Sequence, residues 1–129
     1  MKLQVLVDNN TYIDHYYLGE PGVSYYVEID DKKILFDAGY SDIMIRNAHS
    51  LGVDLKKITH IVLSHGHDDH SKGLKYLFSQ FSLPNATLVA HPGCFAPGGS
   101  RPLHRLALLR RRDCQTLPVS AFPDALLHI

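Results

Sequence analysis

Ser64-His65-Gly66-His67-Asp68-Asp69-His70-Ser71-Lys72-Gly73-Leu74 is the stretch on which the reading of this chain turns. Three imidazoles and two carboxylates fall between His65 and His70, directly after the apolar, β-branched run from Ile58 to Ser64. Packing alone gives no reason for such crowding, because each of these groups is costly to bury unpaired and neighbouring imidazoles repel once protonated. Solvent exposure, as on a solvated polar turn, or a bound cation is needed to hold them together, and a divalent cation removes both difficulties. On a turn leaving a strand, His65 and His67 can point to one side while Asp69 and His70 come round on the start of a helix, which yields two adjoining cation sites. Mixed nitrogen and oxygen donors suit zinc, manganese or iron, whereas calcium and magnesium want oxygen almost throughout. Zinc is the first expectation, with one or two ions per site.

Working outward, the spacing of Leu74, Leu77 and Phe78 predicts a helix after the cluster, so the cluster sits on a strand-to-helix turn. Ala86 to Ala90 reads as a further strand, stopped by His91-Pro92-Gly93. Upstream, Ile43, Ile45, Ala48 and Leu51 form a helical stripe that Ser41 or Asp42 can cap and Gly52 can end. Val23 to Ile29 and Lys33 to Phe36 flank Asp30-Asp31-Lys32 as a hairpin. Lys2 to Asp8 alternates with Leu3, Val5 and Val7 on one side, the pattern of a strand burying that face. The order ββ(β)αβαβ is an α/β arrangement.

The chain has 129 residues, room for one compact domain. Thirteen basic residues balance thirteen acidic ones and the pI is near 7.1, which argues against a globally basic nucleic-acid binder. With 45% hydrophobic and 20% charged residues the composition is globular. Cys94 and Cys114 are too few for a disulfide framework, no apolar run is long enough for a bilayer, and the short apolar run of the N-terminus leads to the expectation of no export signal. A reduced cytosol, without membrane or nucleic-acid partners, is the expectation. The nine histidines matter through their clustering.

The motif running from Ser64 to Leu74 resembles the S-H-x-H-x-D-H-x-x-G-L signature of the metallo-β-lactamase fold, a superfamily of mostly dinuclear metal hydrolases. Ile34-Leu35-Phe36-Asp37-Ala38-Gly39 resembles that family's strand ending in a D-x-G turn. Val5-Leu6-Val7-Asp8-Asn9, with Gly22-Val23-Ser24, is similar to a subgroup related to an archaeal-type pterin and ribofuranosyl-aminobenzene-phosphate synthase. The resemblance covers about residues 1–93 and implies the N-terminal half of an αββα sandwich. It implies that His65 and His67 hold a first metal and Asp69 and His70 a second. Asp69 then also orients a bridging hydroxide or accepts its proton, and Asp37 supports the ligand loop. The implied activity is hydrolysis of an ester, phosphoester or lactam by metal-bound hydroxide; the subgroup adds synthase-like transfer on a phosphorylated pterin-type small molecule.

Beyond Cys94 the composition changes. Five of the six Arg lie between Arg101 and Arg112, and residues 76–129 carry net +3 against −3 for residues 1–75. Residues 94–129 therefore read as an atypical Arg- and Pro-rich segment, with one amphipathic helix expected around Leu103, Leu106, Ala107 and Leu109. No motif there matches the ligands of the family's later half; Asp113, Asp124, His104 and His128 are the residues of suitable chemistry. A half sandwich exposes an apolar sheet face, so a homo-oligomer covering it is expected. The competing reading is a truncated, non-catalytic metal-binding or oligomerising module. His91 is a substrate-facing candidate at the end of its strand, Asp8 and Asn9 are polar strand-end residues, and Ser64 lacks a base to serve as nucleophile.

Overall fold

The computed structural model describes residues 1–11, 15–95 and 115–119. Strands β1 (Lys2–Val7), β2 (Ser24–Ile29) and β3 (Lys32–Phe36) form an antiparallel meander, and β3, β4 (His60–Val62) and β5 (Thr87–Ala90) run parallel. Helix α1 (Ile43–Ser50) connects β3 to β4; α2 (Asp68–Ser71) and α3 (Gly73–Gln80) connect β4 to β5. The sheet order follows the chain, β1-β2-β3-β4-β5-β6, where β6 (Gln115–Pro118) pairs antiparallel with β5. The mixed α and β architecture agrees with the sequence reading. The helix expected around Leu103 to Leu109 lies outside the described residues, as do His104, Asp113, Asp124 and His128.

Helix α1 forms over the predicted stripe and ends at Gly52, whose φ of 70° is readily adopted only without a Cβ. Ser41 Oγ, not the Asp42 side chain, receives the Ile43 N–H at its start. The two-residue turn between β2 and β3 contains Asp30 at φ 52°. Strand β4 is shorter than the run from Ile58 to Ser64, since pairing with β3 and β5 starts at His60 and ends at Val62.

One sheet face is the core. Tyr26, Leu35, Ile61 and Leu88 lie in register across β2 to β5 and are buried with Met44, Ile45 and Ala48 of α1 and Leu74 and Leu77 of α3. Each such large apolar side chain contributes roughly 1.5–3 kcal/mol by leaving water. The opposite face carries two rows, Leu3, Val27, Ile34, His60 and Thr87, then Val5, Tyr25, Phe36, Val62 and Val89, all half-buried or exposed.

This corrects the expectation for β1. Leu3 and Val5 are 57% and 48% exposed, while Leu6 and Val7 are the buried residues. Strict alternation fails because a register irregularity between Val5 and Val7 turns consecutive side chains inward, and because Leu3 and Val5 lie on the face without helices. No helix among the described residues is long and apolar enough to cross a membrane.

Candidate metal centre

Parallel pairing of β3, β4 and β5 brings their carboxyl ends to one edge, the place where open α/β sheets present loops to ligands. Asp37 follows β3, Ser64 to His67 follow β4, and His91 follows β5. Asp37 adopts φ 55°, a left-handed conformation that Asp tolerates better than most residues. Its N–H donates to Val62 O at 2.8 Å, and the next residue, Ala38, donates to His70 O at 2.7 Å. Gly73 N–H returns to Gly39 O at 2.9 Å, so the Asp37-Ala38-Gly39 turn is laced onto the end of β4 and onto the C-terminal end of α2.

Close approach requires glycine here. A Cβ at Gly66 would lie 2.5 Å from the Cys94 carbonyl oxygen, and one at Gly73 would collide with the Ala38 carbonyl. Backbone atoms on the other side of each contact cannot swing away as a side chain can.

The Asp37 carboxylate, 1% exposed, sits behind the cluster. Oδ1 accepts the Ser64 N–H at 2.8 Å; Oδ2 lies 2.6 Å from Ser64 Oγ and 2.8 Å from His70 Nδ1. Ser64 Oγ is in turn 2.8 Å from His65 Nδ1. Burial, then the neighbouring His70 and His67, hold the His65 pKa below the usual imidazole value, which favours the neutral ring that ligates metals.

His65, Asp69 and His70 each present a ligand atom, and the three atoms lie within 4.8 Å of one another. His70 Nε2 is 3.6 Å from Asp69 Oδ2. That is longer than a hydrogen bond, but close to the roughly 3.3 Å expected between two ligands each about 2.0–2.1 Å from a tetrahedral zinc. Two imidazoles, one carboxylate and a buried acidic support form a donor set that fits a borderline divalent cation. Asp68 and Asp69 also begin α2, where the helix N-terminus favours negative charge.

His67 stands outside this trio. Its ring is edge-on to His65, centroids 4.6 Å apart, and its carbonyl accepts the N–H groups of His70 and Ser71 and the Ser71 hydroxyl. His91 Nδ1 accepts the Gly93 N–H at 3.0 Å, a local turn bond on the same sheet edge. Asp8 caps its own turn through Asn10 N–H, and Asn9 Oδ1 holds the N–H of Gly22, which packs on the Asp69 carbonyl. His60 Nδ1 contacts Thr59 Oγ1, away from the cluster. Ser64, expected from the sequence to lack a neighbouring base, has His65 Nδ1 at 2.8 Å from its Oγ and links Asp37 to that ring; the only trace of the contact in the sequence is a hydroxyl beside a candidate ligand.

The chain is similar to several known proteins. An uncharacterised protein of Methanocaldococcus jannaschii is 40% identical over 93 residues, which is 72% of this chain and 35% of that protein. From the same organism, 7,8-dihydropterin-6-methyl-4-(beta-D-ribofuranosyl)-aminobenzene-5'-phosphate synthase is 29% identical over 74% of this chain and 34% of its own length. The chain thus spans about a third of the length of these curated relatives. A solved metallo-beta-lactamase from Cronobacter sakazakii superposes with a TM-score of 0.50 at 27% identity, covering 64% of this chain and 34% of that one. The family model of the metallo-beta-lactamase superfamily matches residues 17–110, and the chain belongs to that superfamily.

Proposed function

We propose that this chain carries the ligand loop of a metal-dependent hydrolase, with His65, His67, Asp69 and His70 as ligands and zinc as the native ion ahead of manganese or iron. The observation that carries the reading is the convergence of His65, Asp69 and His70 in front of Asp37. A divalent cation held there supplies Lewis acidity and brings the pKa of bound water toward neutrality. The protein's own part is positional. Asp37 orients His70 and, through Ser64, His65. Asp69, with its side chain 42% exposed, can align an incoming water and accept its proton. Esters, phosphoesters and lactams share the developing oxyanion that such a site stabilises, and the fold supports many of them.

Likeness to the pterin-related synthase favours a second reading, synthase-like transfer on a phosphorylated pterin-type small molecule. Partner proposals follow from the sheet: the two rows on its outer face hold no Asp, Glu, Lys or Arg, so a second copy can cover them without like-charge repulsion.

Metal analysis of the full chain, dialysed against chelator and reloaded with zinc or manganese, tests the centre. One or two ions per chain, lost in His65→Ala and His70→Ala, is the expected result; no bound ion overturns the reading. Metal-dependent turnover of generic phosphodiesters or esters with water alone supports the hydrolase, and a requirement for a second organic substrate supports transfer. Metal binding without turnover of any kind leaves the non-catalytic module.

A further inference from the structure

Ser64 makes three contacts with distinct chemistry. Its N–H donates to Asp37 Oδ1 at 2.8 Å, its Oγ lies 2.6 Å from Asp37 Oδ2, and the same Oγ lies 2.8 Å from His65 Nδ1. A carboxylate only accepts and a hydroxyl has one proton. At 2.6 Å from Oδ2 that proton belongs in the Oγ–H···Oδ2 bond, which is short enough to be charge-assisted. The side of Oγ turned to His65 is then a lone pair, so a hydrogen bond at 2.8 Å requires the hydrogen of the neutral ring to be on Nδ1. The ring nitrogen left to a cation is Nε2.

His70 is in the same condition by a direct route. Its Nδ1 meets Asp37 Oδ2 at 2.8 Å, and its Nε2 faces Asp69 Oδ2 at 3.6 Å. We propose that Ser64 is a positioning residue that extends Asp37 to a second imidazole, locking His65 as the Nδ1–H tautomer with Nε2 free for the metal. One buried carboxylate thereby sets the orientation of two ligands from opposite ends of the ligand loop. A serine needed only for the turn would use its backbone N–H alone, and that bond to Oδ1 survives loss of the hydroxyl. The inference rests on the metal-centre reading, but its first readout does not need the metal.

The experiment uses the full chain as wild type, Ser64→Ala and Ser64→Thr. Two-bond nitrogen–proton correlation spectra of metal-free protein at alkaline pH report the His65 tautomer, and competition with a chromophoric chelator reports zinc affinity. Expected are an Nδ1–H tautomer in wild type, its loss in Ser64→Ala with zinc affinity about 10–100-fold weaker, and recovery of both in Ser64→Thr. An Nε2–H tautomer in wild type overturns the proposal, even if Ser64→Ala fails to fold. So do unchanged tautomer and affinity in a folded Ser64→Ala. A wild type that shows the Nδ1–H tautomer, lost in Ser64→Ala, yet binds no zinc, upholds the Ser64 link and overturns the metal centre instead.

Discussion

Asp37 Oδ2 accepts a hydrogen bond from His70 Nδ1 at 2.8 Å, across 33 residues of sequence. The bond ties the turn after β3 to the helix that follows β4, so the support and the candidate ligand belong to different crossover units of the sheet. A carboxylate behind an imidazole holds the ring in one orientation and raises the basicity of the opposite nitrogen. Asp37 pays for this with a left-handed backbone, a kind of strain found where surrounding structure enforces it.

Asp37→Asn keeps the shape and replaces an acceptor with a donor, facing at least one of the three donors now satisfied. It should cost about 1–3 kcal/mol in chemical denaturation. Zinc affinity measured by chelator competition should fall about 10–100-fold. Native affinity in the variant would remove Asp37 from the centre.

Asn47, 4% exposed on α1, donates from Nδ2 to Leu6 O and Leu18 O at 2.7 Å and accepts the Leu18 N–H at 3.0 Å. Asn47→Ala leaves these backbone groups without partners, and urea titration should show a loss of about 1–3 kcal/mol. The remaining folded protein should bind zinc as wild type does, because the bonds lost staple β1 and its following loop to α1.

Gly66→Ala places a methyl group against the Cys94 carbonyl, and Gly73→Ala against that of Ala38. Both variants should melt at lower temperature. Gly66→Ala should in addition weaken zinc binding out of proportion to its stability loss, since the shift falls between His65 and His67. Equal affinity in folded Gly66→Ala would show that the loop relaxes without moving its ligands.

His65 titrates below the ordinary imidazole value in the folded chain. As pH falls through the unfolded value of about 6.5, the unfolded chain takes up a proton that the folded chain resists. Metal-free protein should therefore lose stability on acidification from pH 7 toward the lower folded pKa, and His65→Gln should flatten that slope in urea titrations at a series of pH values. An identical slope in the variant would assign the acid sensitivity to other groups.

Association across the outer sheet face is open to sedimentation velocity. Wild type should form dimers at micromolar concentration, and Val5→Lys combined with Val27→Lys should shift it to monomer. Monomeric wild type at every concentration would exclude a second copy as the cover.

Much of this was legible along the chain because it depends on neighbours in sequence. The stripe Ile43, Ile45, Ala48 and Leu51 marks α1, and the density from His65 to His70 marks the strand-to-helix turn and the candidate cation site on it. Other elements have no local signature. Gln115–Pro118 contains a proline and no clear alternation, and becomes a strand only through pairing with the edge of β5. Leu3 and Val5 alternate like core residues, yet period two states only that they share a face, never which face the helices cover.

The sequence by itself determined which chemical groups are present and which lie close along one turn, since spacing on a strand end and a first helical turn is a property of covalent geometry. Only the tertiary structure decided that Asp37 stands behind His70, that Ser64 Oγ lies between Asp37 and His65, and that His65, Asp69 and His70 draw together. Those relations arise from parallel pairing of β3 with β4, which brings two turns distant in sequence to the same sheet edge. Hydrogen bonds between them depend on distances that sequence separation does not encode.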